Sequence, residues 1–506
     1  MNEKNTVLVT GATGYIGGRL VPRLLERGYP VRVLARDRAR VSSCSWLSRV
    51  EVVQGDPLRP ETLEPVLSGV ATAFYFIHSM TGGPDFRRRD ITAARNFAQA
   101  ARQANVGRIV YLGGLGDPEA DLSEHLRSRH ETGAALREAG VPVTEFRAAV
   151  VVGAGSISFE MVRNLTERLP VMICPRWVYT RAQPIAVADV LEYLTAALET
   201  PAGAGATIEI GGADVLTYGQ MMTGYAHVRG LRRFLIPVPV LTPRLSSYWV
   251  HWVTPVGAAY ARPLIEGLRN EVVVRDDKAR TLFPDIHPVD YETAVRRALA
   301  GLKAEQFVPR VAQLFPFEKP ASKERHSRMV EGMIVERRRQ PVRAPAARVY
   351  HVFAGLGGSR GWLCYNWAWR LRAWVDHLVG GVGLRRTRPE HEPLREGDPV
   401  DFYRVEAVEP GRLLRLCVEM KLPGRGWVQF QAEPRGEDRC DLTQAVFFAP
   451  KGLLGLLYWH AFCPAHRVIF RCLLRRIAKQ ARTDSADRPA GKRGATAARD
   501  DFPKKT

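Results

Sequence analysis

His125 and Arg129 stand one helical turn apart in EHLRSRHETGAALREAG, residues 124 to 140. A spacing of i, i+4 places both side chains on one face of a helix. An imidazole titrates near neutrality and can exchange a proton with a substrate oxygen. A guanidinium holds hydroxyls or anionic oxygens. A second histidine, His78 in YFIHSM, ends an apolar run and would lie at the carboxyl edge of a sheet, where ligands bind in open α/β folds. His130, five residues after His125, points elsewhere and receives no role.

The elements that must position these groups alternate in type. NTVLVTG, PVRVLAR, VEVVQGD, ATAFYFIH, GRIVYLGG and PVTEFRAAVVVG are apolar runs that read as buried strands. Between them lie amphipathic stretches such as GGRLVPRLLERG and RRRDITAARNFAQAARQANV, with helical spacing. Strict alternation implies βαβ units and a doubly wound parallel sheet, a Rossmann-type α/β fold. A more irregular portion follows to about residue 305 and closes with DYETAVRRALAGL.

Directly after the first strand comes VTGATGYIGGRL, with Gly11, Gly14 and Gly17 at the turn into a helix. Glycines there allow a tight turn, let a pyrophosphate approach the helix N-terminus, and let the helix pack on the sheet. The spacing G-x-x-G-x-x-G, with Thr10 before it and Tyr15 and Ile16 inside it, resembles the extended and atypical short-chain dehydrogenase/reductase family. The resemblance covers about residues 5 to 305. It includes Gly55-Asp56 after the third strand and QPIAVADV at 183 to 190. It implies cofactor contacts at Gly11, Thr13, Gly14, Tyr15, Ile16 and Gly17, with Asp56 at the adenine. The second strand ends in Arg36 rather than an acid, with Arg38 nearby. A guanidinium suits a 2′-phosphate where a carboxylate would suit ribose hydroxyls, so NADP is the expected cofactor and NAD the other candidate.

In the family, a tyrosine and a lysine four residues on exchange the proton and bind the ribose. Aligned through E-x-x-x-x-L-R-x-A-G-V-P-V-T, those positions are His125 and Arg129, and the upstream serine falls at Gly113 or Gly114. No lysine occurs between Lys4 and Lys278, so no Tyr-x-x-x-Lys pair exists in this region. Three readings stand. His125 is a substitute acid and Arg129 holds the ribose; or the site binds dinucleotide without turnover; or another group such as His78 does the chemistry. The family's usual Arg-Pro after the sixth strand is Arg147-Ala148, and residues from about 153 to 265, including RWVYTRAQP and SSYWVHWVTP, would supply substrate contacts or simply core.

Residues 306–326 read as a linker, and beyond it the grammar changes. Strands separated by Pro-Gly and Gly-Asp turns form an antiparallel series, and YWHAFCPAHRVIFRCLLRRIAKQA forms a closing amphipathic helix. WAWRLRAWVDHLVGGVGLRR, GDPVDFYRVE and FAPKGLLGLLYWHAFCPAHRVIF resemble an uncharacterised helix-grip (START-like) domain often fused behind bacterial atypical short-chain dehydrogenases, so residues 327–479 are expected to form an α+β domain of that kind. Six tryptophans lie between 362 and 459, with core packing as the default reading. A pocket in such a domain would suit a quinone-, lipid- or terpenoid-like molecule. Residues 480–506 read as a disordered basic tail.

Composition narrows the classes. The net charge is +21, but the 11 lysines and 62 arginines are spread along the chain, which argues for arginine replacing lysine throughout and against a nucleic-acid partner. Seven scattered cysteines with no C-x-x-C indicate neither zinc nor a disulfide framework, and His377, His460 and His466 assemble no metal site by spacing. The expected compartment is the cytoplasm, with room for contact at a membrane surface, since no apolar run reaches the roughly 18 residues of a spanning helix. The functional expectation is an NAD(P)-dependent oxidoreductase on an apolar substrate. The alternative is a non-catalytic NADP-binding redox sensor or assembly or scaffold protein whose second domain takes a lipid-like ligand.

Overall fold

The computed structural model describes residues 5–38, 41, 44, 46–78, 86–238, 266–300, 327–330, 333–378, 380–383 and 393–483. SSYWVHWVTP, the linker at 306–326 and the tail beyond Thr483 lie outside them. The chain forms two compact units, Met1–Ile334 with Ala449–Tyr458, and Val335–Phe448 with Trp459–Thr506.

In the first unit the expected alternation is realised as β1 (Val7–Val9), α1 (Gly17–Glu26), β2 (Val31–Ala35), β3 (Glu51–Gln54), β4 (Thr72–Tyr75), α2 (Phe86–Gln103), β5 (Arg108–Gly114), α3 (Glu124–Arg137), β6 (Val143–Ala148) and β7 (Thr207–Ile210). The strands form one parallel sheet in the order β7-β6-β5-β4-β1-β2-β3. The order reverses between β1 and β4, and the carboxyl ends of these two strands open the crevice where such sheets take ligands.

Alternate residues of each strand feed opposite cores, as buried parallel strands require. Val7, Val9, Val33, Phe74 and Val110 face α1 and helix Val187–Ala196. Leu8, Leu34, Ala73, Tyr75 and Ile109 face α2 and α3. Two features depart from the sequence reading. The run PVTEFRAAVVVG is two strands: after Ala148 the chain leaves the sheet, and Val151–Val152 pairs with Ile185–Ala186 of the QPIAVADV segment. TIEI at 207–210, placed in the irregular portion, is a seventh strand on the β6 edge.

The second unit holds an antiparallel sheet whose strands include Met333–Val342, Tyr403–Glu409, Leu413–Val418, Gly424–Pro434 and Cys440–Pro450, and the chain then enters helix Gly452–Thr483. That helix has 32 residues against the shorter one expected, because it begins at Gly452 rather than at Tyr458 and continues to Thr483. The cysteine expectation needs correcting for one pair. Cys364 and Cys472 form a disulfide across a sequence separation of 108, a distance over which spacing carries no signal. The tryptophans divide: Trp362, Trp427 and Trp459 are buried, whereas Trp367 and Trp374 are exposed.

A candidate dinucleotide and substrate site

The glycine turn is built to leave room. Gly11 has φ +62°, and a Cβ on it would stand 2.7 Å from the Phe76 carbonyl oxygen. A Cβ on Gly17 would stand 2.5 Å from the Gly11 carbonyl oxygen and one on Gly14 3.0 Å from the same atom. Larger residues would push the turn away from the helix start. Thr10, fully buried, accepts a hydrogen bond from Phe76 N at 2.9 Å and so ties the end of β1 to the end of β4. α1 then starts without a side-chain cap and without an acid in its first turn, leaving N–H donors and a positive helix end for phosphate oxygens. Thr13 and Gly14 face solvent at this turn. Tyr15 is held by Arg19, whose guanidinium lies 4.0 Å from the ring centroid and whose Nη1 donates to the Tyr15 carbonyl oxygen. The Tyr15 hydroxyl fits only because residue 153 is glycine: a Cβ there would lie 2.3 Å from it.

Arg36 and Arg38 are exposed just beyond β2, and the Arg36 carbonyl accepts from Gln54 Nε2 at 3.1 Å. Asp56 shapes the turn after β3, where its Oδ1 accepts from Leu58 N at 3.1 Å. These positions fit a dinucleotide laid over the carboxyl edge from the glycine turn toward β2.

The helix carrying His125 is anchored at its start. Ser123 caps it by accepting from Leu126 N, and Asn270 receives Ser123 N at 3.1 Å and donates to the Asp121 carbonyl at 2.9 Å. Its next turn grips β5. Arg129 donates to the Leu112 carbonyl and lies over the Tyr111 ring, and the Tyr111 hydroxyl donates back to the Arg129 carbonyl at 3.0 Å. His130, which the sequence left without a role, bonds through Nε2 to the Gly114 carbonyl at 3.0 Å.

His78 and His125 come together, so two of the sequence readings converge on one place. Their ring centroids are 5.3 Å apart. His78 Nδ1 is 2.8 Å from Oδ2 of Asp90, a residue buried on α2, so the carboxylate accepts and Nδ1–H donates. His78 Nε2 is buried with no hydrogen-bond partner among the described residues. Burial lowers the His78 pKa, with Asp90 opposing. Burial, helped by the neighbouring His78 and Arg129, pushes His125 down to about 3. Both rings are therefore neutral at pH 7, and His125 cannot store a proton as imidazolium in the way the sequence reading assumed.

A cavity of about 290 Å³ contains the pair, together with Tyr15, Arg129, Gly113 and Ser156. The rest of its wall includes Leu112, Leu115, Leu126, Val150, Met161 and Leu268. Tyr218 also lines it, with burial holding its hydroxyl far above the ordinary pKa. The sequence reading missed Asp90 and Tyr218. Asp90 did leave a trace: it occupies the buried stripe of α2 with Ala93, Ala94 and Phe97, where a carboxylate needs a partner. Tyr218 left none. The serine position is closed as well as empty, since a Cβ on Gly113 would stand 2.8 Å from Glu145 Oε1 and one on Gly114 2.8 Å from Leu126 Cδ2.

Residues 11–151 match a family described as NAD(P)H-binding, and residues 333–473 match a family described as a protein of unknown function, DUF2867. Among curated proteins, the chain is 31% identical over 247 residues to a ceramide reductase of Caulobacter vibrioides, covering 47% of this chain and 75% of that one. It is 32% identical over 143 residues to cinnamoyl-CoA reductase 1 of rice, Oryza sativa subsp. japonica, covering 26% of this chain and 42% of that one. Among solved structures, a triphenylmethane reductase of Citrobacter sp. aligns with 58% of this chain and 99% of its own at 20% identity, with a TM-score of 0.49.

Proposed function

The chain belongs to the NAD(P)-binding atypical short-chain dehydrogenase/reductase family and carries a DUF2867 domain, and from that premise we propose that it is an NADP(H)-dependent oxidoreductase acting on an apolar substrate. The observation that carries this reading is the meeting of His78 and His125 in one largely apolar cavity at the point where the sheet order reverses. One relative is named a ceramide reductase, which supports both the direction and the apolar substrate.

Gly11, Gly14 and Gly17 would receive the pyrophosphate at the start of α1, and Arg36 with Arg38 would meet a 2′-phosphate. NADPH, when bound, supplies a hydride. His125, neutral, would offer a ring N–H as a hydrogen bond to the carbonyl oxygen on which negative charge develops, and the proton that completes the alcohol would come from solvent, because the ring carries none to spare. Asp90 fixes the tautomer of His78, leaving its buried Nε2 as an unpaired acceptor on a ring 5.3 Å from that of His125 between centroids. The apolar walls exclude water and so strengthen these interactions.

A second reading, a non-catalytic NADP-binding sensor or scaffold, is favoured by the missing Tyr-x-x-x-Lys pair and the loss of a protonated imidazole. For the second unit we propose the helix-grip architecture, supported by its antiparallel sheet and the long helix that follows.

Titration of the full chain with NADPH and NADH, then single-turnover hydride transfer to a panel of quinones and long-chain ketones, separates the two readings. Turnover that disappears in His125→Asn while NADPH affinity persists supports the oxidoreductase. Tight NADPH binding with no turnover on any apolar acceptor supports the sensor.

A further inference from the structure

Two helical faces of the second unit are presented to solvent in a way that core packing does not explain. Helix Asn366–Leu378 buries Ala373 and Asp376. It turns Trp367, Leu371, Trp374, Val375 and Leu378 outward, with exposures from 41% at Val375 to 67% at Trp367. Helical spacing gathers these five side chains on one stripe roughly 100° wide. Isolated exposed hydrophobes are ordinary, but a continuous stripe with two tryptophans marks a binding surface.

The other face is cationic. Helix Gly452–Thr483 contains no aspartate or glutamate. Arg467, Arg471, Arg475 and Lys479 follow one another at i+4, with Arg476 beside them, along a groove of about 640 Å³. None of the five has a carboxylate partner among the described residues. The two helices are neighbours. The Cys364–Cys472 disulfide joins the segment just before the Trp367 helix to the middle of the cationic stripe, with Cα atoms 6.3 Å apart. Trp369 on the first helix lies 6.3 Å, ring to ring, from Phe470 on the second, and Tyr365 lines the basic groove.

We propose that this surface docks the protein on an anionic phospholipid bilayer, with the arginine and lysine stripe on headgroup phosphates and the Trp367 stripe in the interfacial layer. Indole rings prefer that layer, and each cation near an anionic membrane adds a similar increment to binding. Phosphates of a nucleic acid would satisfy the cations but give the apolar stripe nothing to bury against. No helix among the described residues is long and apolar enough to cross the membrane, so the contact is peripheral.

The test is sedimentation of the full chain with vesicles of phosphatidylcholine alone and of phosphatidylcholine mixed with phosphatidylglycerol. The wild type should bind the mixed vesicles, bind neutral ones at least about tenfold more weakly, and lose most but not all of its binding in high salt. Arg471→Glu/Arg475→Glu should lower binding to mixed vesicles by about tenfold or more. Trp367→Ser/Trp374→Ser should abolish the binding that survives high salt. Both variants change exposed side chains and should keep the wild-type melting temperature and NADPH affinity, which controls for folding. Absence of binding to either vesicle, or binding that neither variant weakens, overturns the proposal. Salt-sensitive binding to duplex DNA that depends on the arginines but not the tryptophans, without vesicle binding, overturns it in favour of a nucleic-acid partner.

Discussion

Asp90 accepts a hydrogen bond from His78 Nδ1 at 2.8 Å, and the His78 ring, whose buried Nε2 has no hydrogen-bond partner among the described residues, lies 5.3 Å from the His125 ring between centroids. The order of the three residues assigns each a separable effect. His125→Asn should lower the single-turnover rate by about 10²–10⁴ and leave NADPH affinity within about twofold, since the glycine turn and Arg36 are untouched. Asp90→Asn releases the tautomer of His78 and should lower the rate by about tenfold or more while moving the pH–rate profile, which a purely structural role would leave in place. Rates of NADPH oxidation against pH check both.

On the proposed reading, cofactor choice rests on Arg36. Arg36→Ala should reduce the NADPH/NADH affinity ratio by about tenfold, the worth of one charge-assisted contact, with NADH affinity little changed. Fluorescence titration of both nucleotides measures it, and an unchanged ratio would show that the arginine is only surface charge.

Gly17→Ala places a methyl group 2.5 Å from the Gly11 carbonyl oxygen and 3.0 Å from the Ala12 Cα. Backbone must shift to accept it, at a cost of about 1–3 kcal/mol. The expected result is a lower melting temperature and loss of both nucleotides together, unlike the selective loss at Arg36.

Acid should weaken the fold through its buried histidines. Burial takes His125 to about 3 and His466 to about 4, both below the ordinary 6.5. Below pH 6.5 the unfolded chain takes up protons that the folded chain refuses. Stability therefore falls with pH from about 6.5 toward the folded values, by about 1.4 kcal/mol per unit for each such group. His466 packs against Trp459 and Phe470, and its Nδ1 has no partner among the described residues. His466→Leu should raise the melting temperature at pH 5 relative to wild type more than at pH 7.5. Equal shifts at the two pH values would mean that His466 is already charged in the folded protein.

The strands and the glycine turn were legible because both depend on local pattern. Buried parallel strands need continuous apolar runs, and a pyrophosphate turn needs glycines at fixed spacing. What was not legible depends on distant pairing. TIEI gains its strand character from the free edge of β6, 62 residues upstream in sequence on the register Thr207 to Glu145. The Cys364–Cys472 bond and the exposure of Trp367 and Trp374 depend on which helix packs where. The spacing of His125 places it on a helix face, but its lowered pKa is not legible there, since burial and the neighbouring His78 come from the folded surroundings. The expected helix starts at Tyr458 rather than Gly452, because the glycines at 452 and 455 weaken the helical pattern there.

Glu145 decides what this site can become. Its carboxylate is fully buried, receives Arg137 at 2.5 Å and Arg147 at 2.8 Å, and occupies the space a Cβ would need at both Gly113 and Gly133. Installing a serine at 113 means displacing that carboxylate, which strands two arginines, and removing one partner of a buried ion cluster is among the costlier single changes. Tyrosine and lysine placed at 125 and 129 would still leave a serine at 113 sterically barred. The histidine site is thus held in place by its neighbours as a ratchet holds a wheel, and building a serine into it would demand several coordinated substitutions.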